Sequence, residues 1–422
     1  MGSQFRFGRG AGHLASALAI VASTALTVHA GMTISSLTGP VTQSEINSFI
    51  SYMATQTAPT TPWGGTSSTA HNAWADGSGG SDLEAMGLMY EVSGSSTILN
   101  QLVSWTDICC SERNDLMSAA NGGHRLMWTG RIEPVWVPNA PNSTAPTYAG
   151  GENGDTKYHI LCAAMEILNH RNLWNLTVPD RDPFRYGVTY LDRAKTYLKM
   201  CDYGNDQYDV RQFVDPSTHL IVAPPNWPSN FHTMVANNIM LMMDKDFARC
   251  AECHAILNDS PYRVAEYRAI TKASCEQCIN GMMHAYMRKS QIVYKYYYYP
   301  FSTGYIEDNS HASFDMLGIY AIAAAPGNPF DINLSTVVPF ANTVVDVMSL
   351  GNNEFAGNVD GSGTPQNYMP DAFIRLADWN PSCYTICATA DFDSGYYSSH
   401  AEVDATILWM KNRRYLGLSP TH

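Results

Sequence analysis

The chain has 422 residues, of which 45% are apolar and only 15% charged. That length can bury a large core. Thirty-eight Asp and Glu against 25 Lys and Arg give a net charge of −13, which excludes a general role in coating nucleic acid or any other polyanion.

The first thirty residues read as an address rather than as fold. Arg6 and Arg9 make a short basic start, and residues 14–26 form an apolar stretch too short to span a bilayer. Val28-His29-Ala30 then places small residues before a cleavage point after Ala30. Residues 1–30 are expected to be a secretory signal peptide and 31–422 a single secreted, extracellular domain. No later run reads as a membrane span or a lipid anchor. Sequons at Asn142, Asn175, Asn258 and Asn333 agree with export and are expected on surface turns.

Helical apolar spacing recurs along the rest of the chain, at 83–90, 98–108, 160–168, 188–198, 231–247, 264–286, 316–325, 337–348 and 403–410. Period-2 strands are scarce, and residues 294–299 fit either one short strand or an aromatic loop. Strand–helix alternation and Gly-rich phosphate loops are both missing, which argues against a nucleotide-binding α/β fold. An array of helical hairpins in a secreted chain of this length predicts an all-α fold, the (α/α) toroid, with inner helices ringed by outer ones and long loops between them.

Ten cysteines in an oxidising compartment should mostly pair. Cys250-x-x-Cys253 and Cys275-x-x-Cys278 flank a turn at Asn258-Asp259-Ser260-Pro261. Facing residues of an antiparallel hairpin share a constant index sum, and Cys250 with Cys278 has the same sum as Cys253 with Cys275. Two disulfide staples are expected there in preference to a four-cysteine zinc site. Cys162 with Cys201 is a further expected pair.

Long loops on a helical scaffold are where sites form. Those at 112–155 and 213–230 carry Trp128, Arg131, Trp136, His219 and Trp227, and aromatic rings beside polar groups suit sugar faces. Three polar clusters stand out. Asn230 and His232 precede a helix that carries Asn237 and Asn238 about two turns in. Tyr305, Glu307, Asp308, His311 and Asp315 crowd a loop entering another helix, with Asn309 or Ser310 as its N-cap; His311 and Asp315 share a helix face. Ser399-His400-Ala401, with Glu402 and Asp404, opens the last helix in the same Ser-His-Ala pattern as residues 310–312.

The run RNDLMSAANGGHRLMWTGRIEPVW together with YIEDNSHASFD resembles the (α/α)-toroid polysaccharide lyases, most of all polysaccharide lyase family 38, which includes glucuronan and alginate lyases. The resemblance covers most of the chain after residue 30. It implies a 1,4-linked acidic polysaccharide (a uronan) as substrate, cleaved by β-elimination. The C5 proton of a uronate is weakly acidic until its carboxylate is hydrogen-bonded or neutralised. On this reading Tyr305 is base and acid, His232 and Asn230 hold the carboxylate with Asn238, and Glu307 and His311 position the Tyr. Arg131, Trp128, Arg288, Trp227 and His400 would line subsites. No cofactor, metal, nucleic acid or membrane is expected, and the protein is expected to be a monomer.

Two rival readings stand beside it. One is a glycoside hydrolase on the same toroid, pairing Glu152 or Asp155 with Glu307 or Asp308. The other is a non-catalytic, disulfide-rich carbohydrate-binding protein.

Overall fold

Helix α1 (Gln43–Met53) begins where Thr42 and Glu45 form a reciprocal capping box, each side chain bonded to the other's backbone amide. The remaining elements of the computed structural model follow in chain order: α2 (Ser78–Ser93), α3 (Ser96–Ser111), α4 (Asn153–Asn169), α5 (Tyr190–Gly204), α6 (Val210–Phe213), α7 (Asn237–Leu257) and α8 (Pro261–Met282). A hairpin of β1 (Met283–Arg288) and β2 (Gln291–Tyr296) comes next, then α9 (Asn309–Ala323), α10 (Leu334–Thr343), the short strands β3 (Ser349–Gly351) and β4 (Glu354–Phe355), α11 (Asp371–Arg375), α12 (Thr389–Ser394) and α13 (Ala401–Leu416). The structure describes residues 31–59, 73–74, 78–119, 123–137, 150–227, 235–301 and 304–418.

The helix contacts close on themselves. Helix α2 packs on α4, α4 on α7, α7 on α9, α9 on α11, α11 on α13, and α13 back on α2. Each of these six has an outer partner: α3 covers α2, α5 covers α4, α8 covers α7 and α10 covers α9, each next in the chain, while α1, from the start of the described chain, covers α13 at its end. The π-helical turn Tyr384–Ala388, which runs on into α12, covers α11. The fold is the expected (α/α) toroid, and residues Gly31–His422 form one compact unit.

Glycine sets how tightly the ring closes. A Cβ on Gly154 of α4 would lie 2.3 Å from the carbonyl oxygen of Met242, and one on Gly318 of α9 would lie 2.7 Å from the Cβ of Leu241. Helix α7 is thus gripped backbone to backbone from both sides. Inner helices meet neighbours on every side, which is why α2 and α4 are buried along almost their whole lengths.

Two expectations fail for reasons of register. The turn after α7 is Asn258, in the left-handed region at φ 52°, and Pro261 starts α8. Phe247 stacks on Tyr267 at 5.5 Å, and the Thr271 hydroxyl donates to the Asp244 carbonyl. Cys250 and Cys253 therefore lie level with the first turns of α8, and Cys275 and Cys278 with the first turn of α7. The staples do not form, and neither does the Cys162–Cys201 pair; all ten cysteines are buried and unpaired. Cys250 instead contacts Asn205, and Cys253 contacts Met165. The second failure is the expected helix over 264–286, which stops at Met282. Met283 to Arg288 pair with the β-branched and aromatic run Gln291 to Tyr296, across a turn with positive φ at Lys289 and Ser290.

The sequon residues Asn175, Asn258 and Asn333 are exposed, as expected; Asn142 lies outside the described residues. No helix among the described residues is long and apolar enough to cross a membrane.

Burial also traps charge between the inner and outer layers. The Lys157 ammonium on α4 contacts Asp209 at 2.5 Å and Asp246 of α7 at 2.7 Å, with all three side chains inaccessible to solvent. Burial raises both carboxyls, Asp246 to about 6, although the ammonium opposes it. Lys157→Met is expected to leave two uncompensated acids and to cost about 3–5 kcal/mol in urea denaturation. A loss below about 1 kcal/mol would contradict the ion-pair role. Thiol titration of denatured, unreduced protein should count ten reactive thiols. Four fewer would restore the two staples.

Candidate active site

The inner helices α2, α4, α7, α9 and α11 each run on into their outer partners, and the chain returns from outer to inner through the long segments and, before α13, through the short turn 395–400. All six inner helices therefore start at the same end of the ring, and the long loops gather at that mouth. Toward the far end lies a partly open cavity of about 250 Å³, lined by Glu84, Glu166, Arg249, Tyr320, Arg375 and Trp409 among others. Its charges are largely satisfied within the ring. Glu84 pairs with Arg249 at 3.0 Å and Arg375 at 3.2 Å, and the Trp409 indole donates to Glu91 at 2.6 Å.

The mouth is lined with carboxyl groups. On one side stand Asp82 of α2, Asp371 of α11, Asp391 of α12 and Glu402 of α13. Burial pushes the Asp82 carboxyl up to about 7. Glu402 rises to about 8, through burial and then through repulsion from Asp82, Asp371 and Asp391. Asp391 also rises to about 8, with burial outweighing the Met369 amide that donates to it at 2.9 Å. Asp371 differs from these. It holds an ion pair to Arg375 at 3.1 Å and sits within reach of the Thr406 hydroxyl. The cluster thus sets raised, buried acids beside a carboxyl that is ion-paired to a guanidinium. Beside it Tyr368, Tyr396 and His400 form a three-ring stack, with centroid spacings of 4.3 and 3.7 Å.

The α9 side carries the cluster singled out in the sequence. Asp308, rather than Asn309 or Ser310, is the N-cap, accepting from the amides of Ser310 and His311 at 3.0 Å each. Its other oxygen meets His311 Nδ1 at 2.6 Å. Burial pushes Asp308 upward, but these bonds outweigh it and hold the carboxyl below its ordinary range. Glu307 and Asp315 are fully buried, and none of their four carboxyl oxygens has a hydrogen-bond partner. Burial, then each acid's acidic neighbours, raises both.

The other expected site residues are dispersed. Tyr305 is 69% exposed, and its phenol makes no hydrogen bond among the described residues. Asn230 and His232 lie outside the described residues. Asn237 and Asn238 sit in the first turn of α7 rather than two turns in: the Asn237 amide donates to the Tyr297 carbonyl at 2.8 Å, and the Asn238 oxygen accepts from the Ile239 amide at 2.9 Å. Trp227 stands edge-on to Phe213 at 5.4 Å. The Trp128 indole donates to Tyr208 at 2.8 Å, which ties its loop to α5's extension. Trp136 is fully buried, its indole bonded to the Cys109 carbonyl, so it anchors the loop and is closed to sugar. Arg131 is exposed, and Arg288 is exposed at the tip of the β1–β2 hairpin. Asp155 is committed to Lys245 and to His159, and the Glu152 carboxylate accepts from the Gly150 amide at 2.7 Å.

Asp82, Asp371 and Asp391 were not picked out from the sequence. Pro370 before a short helix was the only local signal for Asp371. The grouping itself comes from ring closure, which joins the start of α2 to α11 and α13.

Similar solved structures include a family 76 glycoside hydrolase from a bovine Bacteroides thetaiotaomicron strain. It aligns with a TM-score of 0.42 at 12% identity, over 82% of this chain and 56% of that one, so this chain spans little more than half its length. A family 76 glycoside hydrolase (mannosidase) from Bacteroides thetaiotaomicron VPI-5482 aligns with a TM-score of 0.34 at 11% identity, over 88% of this chain and 97% of that one. The ring stands on its own helix contacts rather than on these alignments. The sequence matches no protein-family model and no curated protein.

The raised carboxyls make stability depend on pH in a definite direction. Asp82, Asp391 and Glu402, with Glu252 at about 7, keep protons that unfolded carboxyls release near pH ~4. Their folded-state values are the higher ones, so their contribution is full below pH ~4 and drains as pH rises toward ~8. Glu45 and Asp155, both lowered to about 2, act the other way below pH ~4. The melting temperature should therefore peak near pH ~4–5 and fall steadily to pH ~8. A profile that is flat or rising between pH ~5 and ~8 would contradict the burial of these acids.

Proposed function

We propose that the chain is a glycoside hydrolase acting on a neutral polysaccharide, with Glu402 as general acid and Asp371 as its ionised partner. The observation that carries this reading is a buried, raised Glu402 set beside an Asp371 that is ion-paired to Arg375. Glu402 keeps its proton to about 8, while neighbouring Asp371 is held by Arg375. Glycoside hydrolysis needs that pair: one carboxyl to protonate the leaving oxygen, and one carboxylate to activate water or attack the anomeric carbon. The Tyr368–Tyr396–His400 stack supplies a ring face beside them, of the kind on which sugars lie.

Charge supports a neutral substrate. A polyuronate needs cations free to meet its carboxylates, but Arg375 is already shared between Glu84 and Asp371. The uronan-lyase reading also asks Tyr305 to exchange a proton at moderate pH, which requires a neighbour that favours phenolate. The signal-like residues 1–30 support action outside the cell.

Screening against neutral polysaccharides, with glucuronan and alginate as controls, should give new reducing ends and no ultraviolet-absorbing unsaturated uronate. Glu402→Gln should lower turnover by about 10²–10⁴ with little change in the melting curve. Tyr305→Phe should stay within a few-fold of the parent. An absorbing product from a uronan, lost in Tyr305→Phe and kept in Glu402→Gln, would replace the hydrolase reading with the lyase.

A further inference from the structure

Glu307 is unaccounted for by the proposed chemistry. Its backbone is fixed on both sides: its amide donates to the Tyr296 carbonyl at 3.3 Å, and its carbonyl accepts from the Val359 amide at 3.1 Å. Its carboxyl is fully buried with neither oxygen bonded. Protonation alone does not explain this arrangement. A neutral carboxyl still has a donor and acceptors to satisfy, and nearby Asp315 leaves its own oxygens unbonded instead of pairing with Glu307.

What Glu307 does meet is Asp308 and His311. Each of the three offers one ligand atom, and these atoms all lie within 4.8 Å of one another. Asp308 uses Oδ1 to cap α9, which leaves Oδ2 turned toward His311. The Tyr298 ring stands edge-on to the imidazole at 5.0 Å and steadies it. The Asn309 amide, bonded to the Gly357 carbonyl at 2.9 Å, pins the backbone between them.

We propose that Glu307, Asp308 and His311 hold a divalent metal ion of the zinc or manganese class, with water completing the coordination on the mouth side. The imidazole sets the class: calcium and magnesium prefer all-oxygen shells, whereas zinc and manganese accept mixed nitrogen and oxygen sets. Ligand atoms around one such ion stand about 3–4 Å apart, so closure from the observed spacing requires only side-chain rotation. A buried acid facing a second acid and an imidazole acquires in this way a counter-charge that it is not given by hydrogen bonds among the described residues. The ion would fix the loop after β2 to the start of α9. This proposal does not depend on the hydrolase reading.

The test is metal binding by the full chain after chelator treatment, with equilibrium dialysis against zinc, manganese or calcium chloride and elemental analysis. One zinc or manganese ion per chain is expected, with a rise in melting temperature and no comparable binding of calcium. Cobalt substitution should give a visible absorption band that His311→Gln, at a half-exposed position, shifts or abolishes. His311→Gln and Glu307→Gln should each weaken binding by at least about tenfold. Lack of stoichiometric zinc or manganese on the parent chain would overturn the site, as would binding that His311→Gln retains unchanged. Binding of calcium alone would overturn the assigned ligand set. If Glu307→Gln fails to fold, the parent dialysis and the His311→Gln spectrum still decide.

Discussion

Glu84 ties the ring together across its axis. It lies on α2, yet its carboxylate is held by Arg249 of α7 and Arg375 of α11, two inner helices that α2 does not flank in the ring. Arg249 also lies over the Tyr158 ring of α4 at 3.5 Å. Burial alone would neutralise Glu84, but the two guanidinium groups win and keep it well below the carboxylate range. Six inner helices leave a central space that apolar side chains do not fill, and charges placed there survive only as a matched set. Removing one member of such a set strands the others, at about 3–5 kcal/mol. Lys245 with Asp155 and His159 repeats the arrangement between α4 and α7.

The same geometry makes the mouth acidic. Because all inner helices start there, their N-terminal dipole ends converge, which favours negative charge. Asp308 uses that field as an N-cap and is lowered. Asp82, Asp391 and Glu402 are pushed the other way, by burial and, for Asp391 and Glu402, by acidic neighbours as well. One end of one ring therefore supplies both a hydrogen-bonded carboxylate and proton-bearing acids, which an unpatterned acidic surface would not.

Much of the architecture was legible because inner and outer helices alike repeat apolar residues every three or four positions. Helix α1 was overlooked although Thr42-Gln43-Ser44-Glu45 spells a capping box. The two Ser-His-Ala segments both open inner helices, but His400 is the N-cap of α13 while His311 lies inside the first turn of α9. The disulfide expectation failed because spacing of three places two cysteines on one helix face without saying which neighbour that face meets. The short turn at Asn258 sets the register of α7 against α8, and the cysteines of α7 look toward Asn205 and Met165 instead of α8. The site was legible only in local windows, the eleven residues from Tyr305 to Asp315 and the turn with His400 and Glu402 that opens the last helix. Asp82 and Glu402 are neighbours because a circle closes, and no sequence window contains both.

Acidity at the mouth bears on the class of reaction more strongly than any single residue there. Elimination from a uronate needs its carboxylate neutralised before C5 can lose a proton, so the protein must bring unpaired cations or several neutral donors to that point. Here Arg375 is ion-paired to the carboxyl cluster, and its guanidinium is divided between Glu84 on the axis and Asp371 at the mouth. Freeing it for a substrate would leave Glu84 with only one of its two guanidinium partners and loosen the contact between α2 and α11. Hydrolysis makes no such demand, because its two carboxyls need only differ in protonation. Burial and repulsion already raise Glu402 beside an Asp371 that is ion-paired to Arg375, so on the proposed hydrolase reading the arrangement that holds the ring closed would also prepare the acid and its partner.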